Sequence, residues 1–334
     1  MAHRIQTTVV GSYPVPDWLR AYPTRGALVD AMMVVLKTQE LAGLDLLADG
    51  ELSRFDVSHP ETNGMIDYFV RPMAGIDADL SRAQLDAFRR EAGMAFRTQP
   101  AGVVAGPIGE GTLNLPADFA LARPLTDRPL KFTLTSPYML AKTLVDEHYG
   151  DFRSMLLAVA DVLARQVADI DAAVVQIDEA NLPGSPEDGP IAAEAINRIL
   201  DAVKGERAVH VCFGNYGGQT IQAGEWAALL DFINRLHVNH VVLEFARRGY
   251  DELAGFKDIR DEIQLGIGVI DIKDNGVETP DQVASRIQAA CEAVGENRIR
   301  YVHPDCGFWM LPRPVADAKM QNLVKGRDLF CRSP

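Results

Sequence analysis

The 334-residue chain carries 33 Lys and Arg against 46 Asp and Glu, a formal net charge of −13. Such an excess of acid argues against nucleic acid or an anionic membrane surface as the main partner. No run approaches the ~18 apolar residues of a membrane span, and the amino terminus enters strand-like sequence without the apolar core of a signal peptide. The four cysteines, at 212, 291, 306 and 331, show no paired disulfide spacing, which suits a reducing compartment and predicts a cytoplasmic protein.

In chain order, strand-like apolar runs alternate with amphipathic helical stretches. The runs are 5–10, 44–49, 130–135, 172–178, 208–213, 240–245, 263–271 and 299–304. Helical periodicity fills 26–43, 151–171, 190–204, 224–236, 279–294 and 314–330. Near-continuous β-branched runs followed by helices read as parallel strands buried on both faces. Eight such units point to a (β/α)8 TIM barrel. An open dinucleotide-binding sheet is the competing architecture, weakened because no strand ends in a G-x-G-x-x-G turn before a helix. One barrel domain is expected over 1–334, with about 50–129 inserted between strands two and three and lying over the mouth. The insertion holds a helical stretch near 81–92 and a short hairpin or edge strand near 101–105.

In a barrel of parallel strands, the C-terminal strand ends converge on one mouth, where such enzymes place their chemistry. His210 and Cys212 lie two apart in AVHVCF, so both face the same way. Glu244 closes HVVLEF, and Cys306 ends the stretch IRYVHPDC. Each alone has a plain structural reading, as a core thiol, a satisfied histidine or a helix-capping acid. Together, at the ends of strands five, six and eight, they supply one imidazole, two thiolates and one carboxylate, a complete four-coordinate set for Zn²⁺. Cys291 and Cys331 fall in a helical pattern and in the tail, and are read as incidental. The remaining strand ends carry Gly11 and Ser12, Asp49 and Glu51, Asp178 and Glu179, Asp271 and Lys273, and His303 and Asp305. A ring of acids at the mouth of an apolar barrel calls for a metal, a cationic substrate group or an arginine, because unpaired buried carboxylates are costly.

The segments TTVVGSYP, DLLADGE, VVQIDEA, HVCFGN, LEFARR, GVIDIK and HPDCG follow one another in this order over residues 5–330. In them the chain resembles the C-terminal catalytic barrel of the cobalamin-independent methionine synthases. The resemblance implies a zinc ion held by His210, Cys212, Glu244 and Cys306, and homocysteine bound by Ser12, Glu51 and Asp178. After strand seven, two-barrel members of that family read D-I-H, with the histidine assigned to proton transfer. This chain reads Asp271-Ile272-Lys273, as shorter single-barrel relatives do, and Asp271 and Lys273 are the expected catalytic pair. Those relatives include core methionine synthases thought to take methyl from a corrinoid, and epoxyalkane:coenzyme M transferases.

The expected reaction is therefore zinc-dependent transfer of a methyl or other alkyl group to a thiol by attack of a zinc-bound thiolate, with homocysteine giving methionine. The alternatives are thioether formation from an epoxide and coenzyme M, and a zinc hydrolase or non-catalytic zinc protein. A four-ligand site with two thiolates suits sulfur alkylation better than hydrolysis, whose metal sites keep a position open. An amino-acid thiol brings an ammonium group that Glu51 and Asp178 can pair, whereas a sulfonate thiol would want arginine or lysine. The expected partners are the thiol and a folate, corrinoid or other alkyl donor, with no nucleic acid and no membrane, and a homo-oligomer is allowed. Phe55, Tyr68, Phe69 and Phe96 of the insertion are expected to shape the donor pocket.

Overall fold

The computed structural model describes residues 4–54, 63–91, 97, 99–214 and 222–332. Its strands are β1 (Gln6–Thr7), β2 (Leu47–Ala48), β3 (Ala74–Asp77), β4 (Gly102–Gly109), β5 (Leu130–Thr135), β6 (Leu144–Asp146), β7 (Val174–Glu179), β8 (Glu206–Val211), β9 (His240–Leu243), β10 (Gln264–Ile270) and β11 (Ile299–Pro304). Eight of these form one parallel sheet in the order β1-β11-β10-β9-β8-β7-β5-β2. Parallel bridges Thr8–Leu46 and Ser12–Gly50 join its two edges. The sheet thus curls into the expected (β/α)8 barrel.

Alternation along the strands divides the core in two. Val10, Leu46, Val174, Ala208, Val242 and Tyr301 form their own apolar cluster, separate from the larger one between strands and helices. Such residues face the barrel axis and plug it. Further along the same strands the alternating positions turn polar: Lys131, Gln176, Asp178, His210, Glu244 and His303 are all buried. No helix among the described residues is long and apolar enough to cross a membrane.

The helices form where side-chain spacing and end chemistry agree. The helix Phe152–Ala168 is capped by Asp151, whose side chain accepts from the Ser154 N–H, and buries Leu156, Val159, Leu163 and Val167. Thr279 and Gln282 make a capping box ahead of Pro280–Val294, satisfying two N–H groups that the helix itself cannot. The stretch expected as a helix over 224–236 is instead a 3-10 turn, Trp226–Leu229, followed by a short helix, Leu230–Arg235. The expected helix near 81–92 is present as Arg82–Glu91. The edge strand expected near 101–105 becomes the longer β4, paired antiparallel with β3 and parallel with β6. It lies at the centre of a second, three-stranded sheet. Phe55 and Phe96 lie outside the described residues.

The seam between β1 and β2 rests on side chains as much as on the ladder. Arg327, 1% exposed, donates to the Ile5 carbonyl at 2.9 Å and to Asp45 Oδ2 at 2.6 Å. The same carboxylate oxygen accepts from the Thr7 N–H at 2.8 Å and the Thr7 hydroxyl at 2.9 Å. Burial works to raise the Asp45 pKa, but Arg327 and Thr7 more than offset it and hold the carboxyl below its ordinary value. Arg327→Met should therefore cost about 1.5–3 kcal/mol, seen as a lower urea midpoint at unchanged slope. Because the folded pKa is depressed, that contribution is full above about pH 4 and is lost on acidification through the folded value. An unchanged midpoint at neutral pH would show that the seam does not depend on this pair.

Candidate active site

β8 lies in register between β7 and β9, with Asp178 opposite His210 and His210 opposite Val242. Partners on neighbouring parallel strands emerge on one face about 4.8 Å apart, so Asp178 and His210 reach the mouth side by side. The Nδ1 of His210 lies 3.0 Å from the Val242 carbonyl. A carbonyl only accepts, so Nδ1 carries a proton and Nε2 is the nitrogen left for a ligand; burial works to lower the His210 pKa, but Cys306 and Asp178 more than offset it. Nε2 is buried without a hydrogen-bond partner among the described residues. His210, Cys212 and Cys306 each offer one ligand atom, and these atoms all lie within 4.8 Å of one another. The hydrogen bond between the two sulfurs, helped by His210 against the effect of burial, holds Cys306 well below the ordinary thiol range; the same contact pushes Cys212 up. An anchored imidazole beside two sulfurs, one of them favoured as thiolate, fits a soft-donor ion such as Zn²⁺.

Glu244 follows β9 and is buried, with neither carboxylate oxygen hydrogen-bonded among the described residues. Its Oε2 lies 3.7 Å from Lys273 Nζ. Burial raises its pKa, with Lys273 opposing. Glu244 is not among the three residues whose ligand atoms cluster; it pairs with Lys273 and lies close enough to Cys306 and His210 to feel their charge. Asp271 does not present a free carboxylate: Oδ1 accepts from the Lys273 N–H at 2.8 Å, and Oδ2 lies 3.1 Å from Arg247 Nη1. Asp305 has a clear task. Its Oδ1 accepts from the N–H groups of Phe245 and Ala246 at 2.9 and 2.8 Å, and its Oδ2 from that of Arg247 at 2.9 Å. It fixes the turn after Glu244 to the residue before Cys306. His303 lies inside the barrel against Gly266, its pKa lowered to about 3 by burial; a neutral interior histidine is its role here.

Ser12, Glu51 and Asp178 gather at the neighbouring strand ends. A Cβ on Gly307 would fall 1.9 Å from Ser12 Oγ, so Ser12 packs directly on the turn after Cys306. Glu51 is the only non-glycine residue with positive φ, 57°, among those described, a conformation that costs energy and concentrates at functional sites. Its N–H donates to Asp49 Oδ1 at 2.8 Å. Its carboxylate accepts from the Thr133 hydroxyl at 2.6 Å and pairs with Arg54 Nη1 at 3.2 Å. Arg54 also donates to Thr133 Oγ1 at 2.8 Å and lies 5.1 Å from the Phe69 ring. Gly11 is required by this arrangement, because a Cβ there would meet Glu51 Oε1 at 2.1 Å. Asp178 accepts from Gln176 Nε2 at 2.7 Å. Burial, then the charge of Glu51, raises its pKa above the ordinary carboxylate range.

Sequence reasoning missed Lys131, Gln176 and Thr133, and did not pair Arg54 with Glu51. Lys131 in LKFTLT carried a signal: an ammonium in a strand buried on both faces must have dedicated partners.

A family model described as "Cobalamin-independent synthase, Catalytic domain" matches residues 5–327. A methionine synthase of Thermococcus kodakarensis is 30% identical, covering 98% of this chain and 94% of its own length. One from Pyrococcus horikoshii is 28% identical, covering 97% and 92%. Among solved structures, a B12-independent methionine synthase from Shewanella sp. W3-18-1 in complex with selenomethionine superposes with a TM-score of 0.81 at 21% identity, over 98% of each chain. A methyltransferase from Methanosarcina mazei does so with a TM-score of 0.61 at 16% identity, over 99% of this chain and 95% of its own. At these identities the two structures speak for the fold alone.

The metal assignment has a direct check. Cys212→Ser or Cys306→Ser should remove most of the zinc that survives dialysis, read by elemental analysis, while Cys291→Ser should leave it in place. Full zinc content in both site variants would refute the assignment.

Proposed function

Because the chain belongs to the cobalamin-independent methionine synthase family, a methyltransferase family, we propose that it transfers a methyl group to the sulfur of homocysteine to give methionine, with Zn²⁺ as its cofactor. The observation that carries this reading is the adjacency of two chemically different sites in one barrel mouth. The His210, Cys212 and Cys306 donors lie next to Asp178 through the β7–β8 register, and Ser12 packs on the Cys306 turn. A thiol with an amino-acid tail spans such a pair.

His210, Cys212 and Cys306, with Glu244 as the fourth ligand, are assigned to the zinc ion. Bound zinc lowers the pKa of a thiol so that it reacts as a thiolate at neutral pH. Glu51 and Asp178 take the ammonium group of the substrate through charge-assisted hydrogen bonds, and Ser12 lies beside its tail. Thr133 and Arg54 hold Glu51 in place for that contact. Asp271 shapes the turn that presents Lys273, and Lys273 supplies the counter-charge to Glu244. Proton traffic at the mouth is assigned to this turn. In the overall exchange the donor–methyl bond breaks, the sulfur–methyl bond forms, and the thiol proton is lost. The segment from about 50 to 129 is assigned to the donor side of one barrel domain; within it Arg54 joins Glu51 to the ring of Phe69, which is fully buried in the core. Free cysteines throughout the described chain suit a cytoplasmic setting.

A sulfonate thiol such as coenzyme M finds less here. The cations near the mouth already have acidic partners: Arg54 with Glu51, Lys273 with Glu244, Arg247 with Asp271. Among the described residues, the hydrogen-bond partner of the Asp178 carboxylate is the neutral amide of Gln176.

Zinc-loaded protein incubated with homocysteine and a panel of methyl donors should yield methionine by mass spectrometry. Coenzyme M with epoxides should yield little thioether. Asp178→Asn or Glu51→Gln should weaken homocysteine binding about ten- to hundred-fold, the equivalent of one charged hydrogen bond, with zinc content unchanged. Unaltered homocysteine affinity in Asp178→Asn, or far tighter binding of the sulfonate thiol, would overturn the amino-acid reading in favour of epoxide chemistry.

A further inference from the structure

Inside the barrel, directly beneath the acids, lies a polar network to which the mechanism above gives no work. Lys131, on β5, is 2% exposed, and Gln176, on β7, is 0% exposed. The Lys131 ammonium donates to the Val9 carbonyl and, at 2.9 Å, to Gln176 Oε1. Gln176 Nε2 donates to Asp178 Oδ1 at 2.7 Å and to the Val10 carbonyl at 3.1 Å. The network therefore ties the end of strand one, just before Gly11 and Ser12, to the carboxylate of Asp178.

The directions of these bonds follow from donor chemistry. A lysine ammonium has three donors and no acceptor, so it dictates that Gln176 turns its oxygen toward Lys131 and its nitrogen toward Asp178. With Lys131 removed, Nε2 still has the Val10 carbonyl and Asp178 as acceptors, but Gln176 Oε1 and the Val9 carbonyl lose their shared buried donor, so the amide and the end of strand one are no longer tied together beneath Asp178. We infer that Lys131 and Gln176 are positioning residues for recognition of the amino-acid end of the thiol, acting through Asp178 and the strand-one turn. Asp178 Oδ1 is held from below, which leaves Oδ2 for the incoming ammonium. Burial lowers the Lys131 pKa to about 7, and the nearby Asp178 and Glu51 oppose that shift, so the ammonium and the two acids are within electrostatic reach of one another. The inference rests on the reading of Asp178 as the ammonium contact.

The test uses zinc-loaded full-length protein and two ligands: homocysteine, and 4-mercaptobutyrate, which differs only in lacking the amine. Gln176→Leu and Lys131→Met should each weaken homocysteine about ten- to hundred-fold, with 4-mercaptobutyrate within about threefold of native and zinc content unchanged. In an Asp178→Asn background, Gln176→Leu should cost little more, because residues acting through one group are not additive. Gln176→Glu keeps the volume and the contact with Lys131 while placing a carboxylate against Asp178. It carries the test if Lys131→Met does not fold, and should show the same selective loss of the amine-bearing thiol. Equal loss of both thiols, or additive losses in the double variant, would reduce the network to a structural role and overturn the inference. If Asp178→Asn alone fails to change homocysteine binding, the underlying reading falls instead.

Discussion

The register of two parallel strands is the constraint on which everything at this mouth depends. With Asp178 opposite His210, a carboxylate and an imidazole must emerge on the same face of the sheet at the spacing of neighbouring strands. A slip of one residue would send both to the helix side of the barrel. The same alternation carries Gln176 below Asp178 and Cys212 above His210, so the axis grades from an apolar plug through a layer of paired polar groups to the mouth. The barrel serves as a rigid frame that fixes distances between side chains far apart in sequence.

Charge is managed at short range throughout. Glu51 is met by Arg54 and Thr133, Glu244 by Lys273, and Asp305 by three backbone N–H groups. Asp178 differs: one of its oxygens meets the amide of Gln176, and burial raises its pKa. A buried carboxylate with no direct ion pair among the described residues is well placed to receive a cationic group from a ligand. Glu51, in its left-handed conformation, shows a related expense: its backbone is held in a disfavoured region by Asp49 while its side chain is clamped on both oxygens.

Much of this was legible in the sequence, for identifiable reasons. The eight buried runs have the composition of parallel strands, and His210-x-Cys212 at a strand end admits few other meanings once Cys306 and Glu244 close later strands. Ser12, Glu51 and Asp178 were carried by motifs. The network around them was not legible, because it depends on contacts between residues such as Lys131 and Gln176, 45 positions apart. The pairing of Arg54 with Glu51 arises in a 3-10 turn that follows a positive-φ residue, and no periodicity announces it. β6 was missed because three residues are too few for a pattern, and 224–236 kept a helical look although its first turn winds as 3-10.

The central claim is that one mouth holds a metal for the sulfur and acids for the amino-acid end of the same molecule. Calorimetric titration of homocysteine into metal-free and zinc-loaded protein, beside its oxygen analogue homoserine, tests this most directly. The account predicts that zinc loading tightens homocysteine by at least about tenfold, roughly 1.4 kcal/mol, and leaves homoserine nearly unchanged. Equal affinity of homocysteine for the two forms of the protein would contradict it.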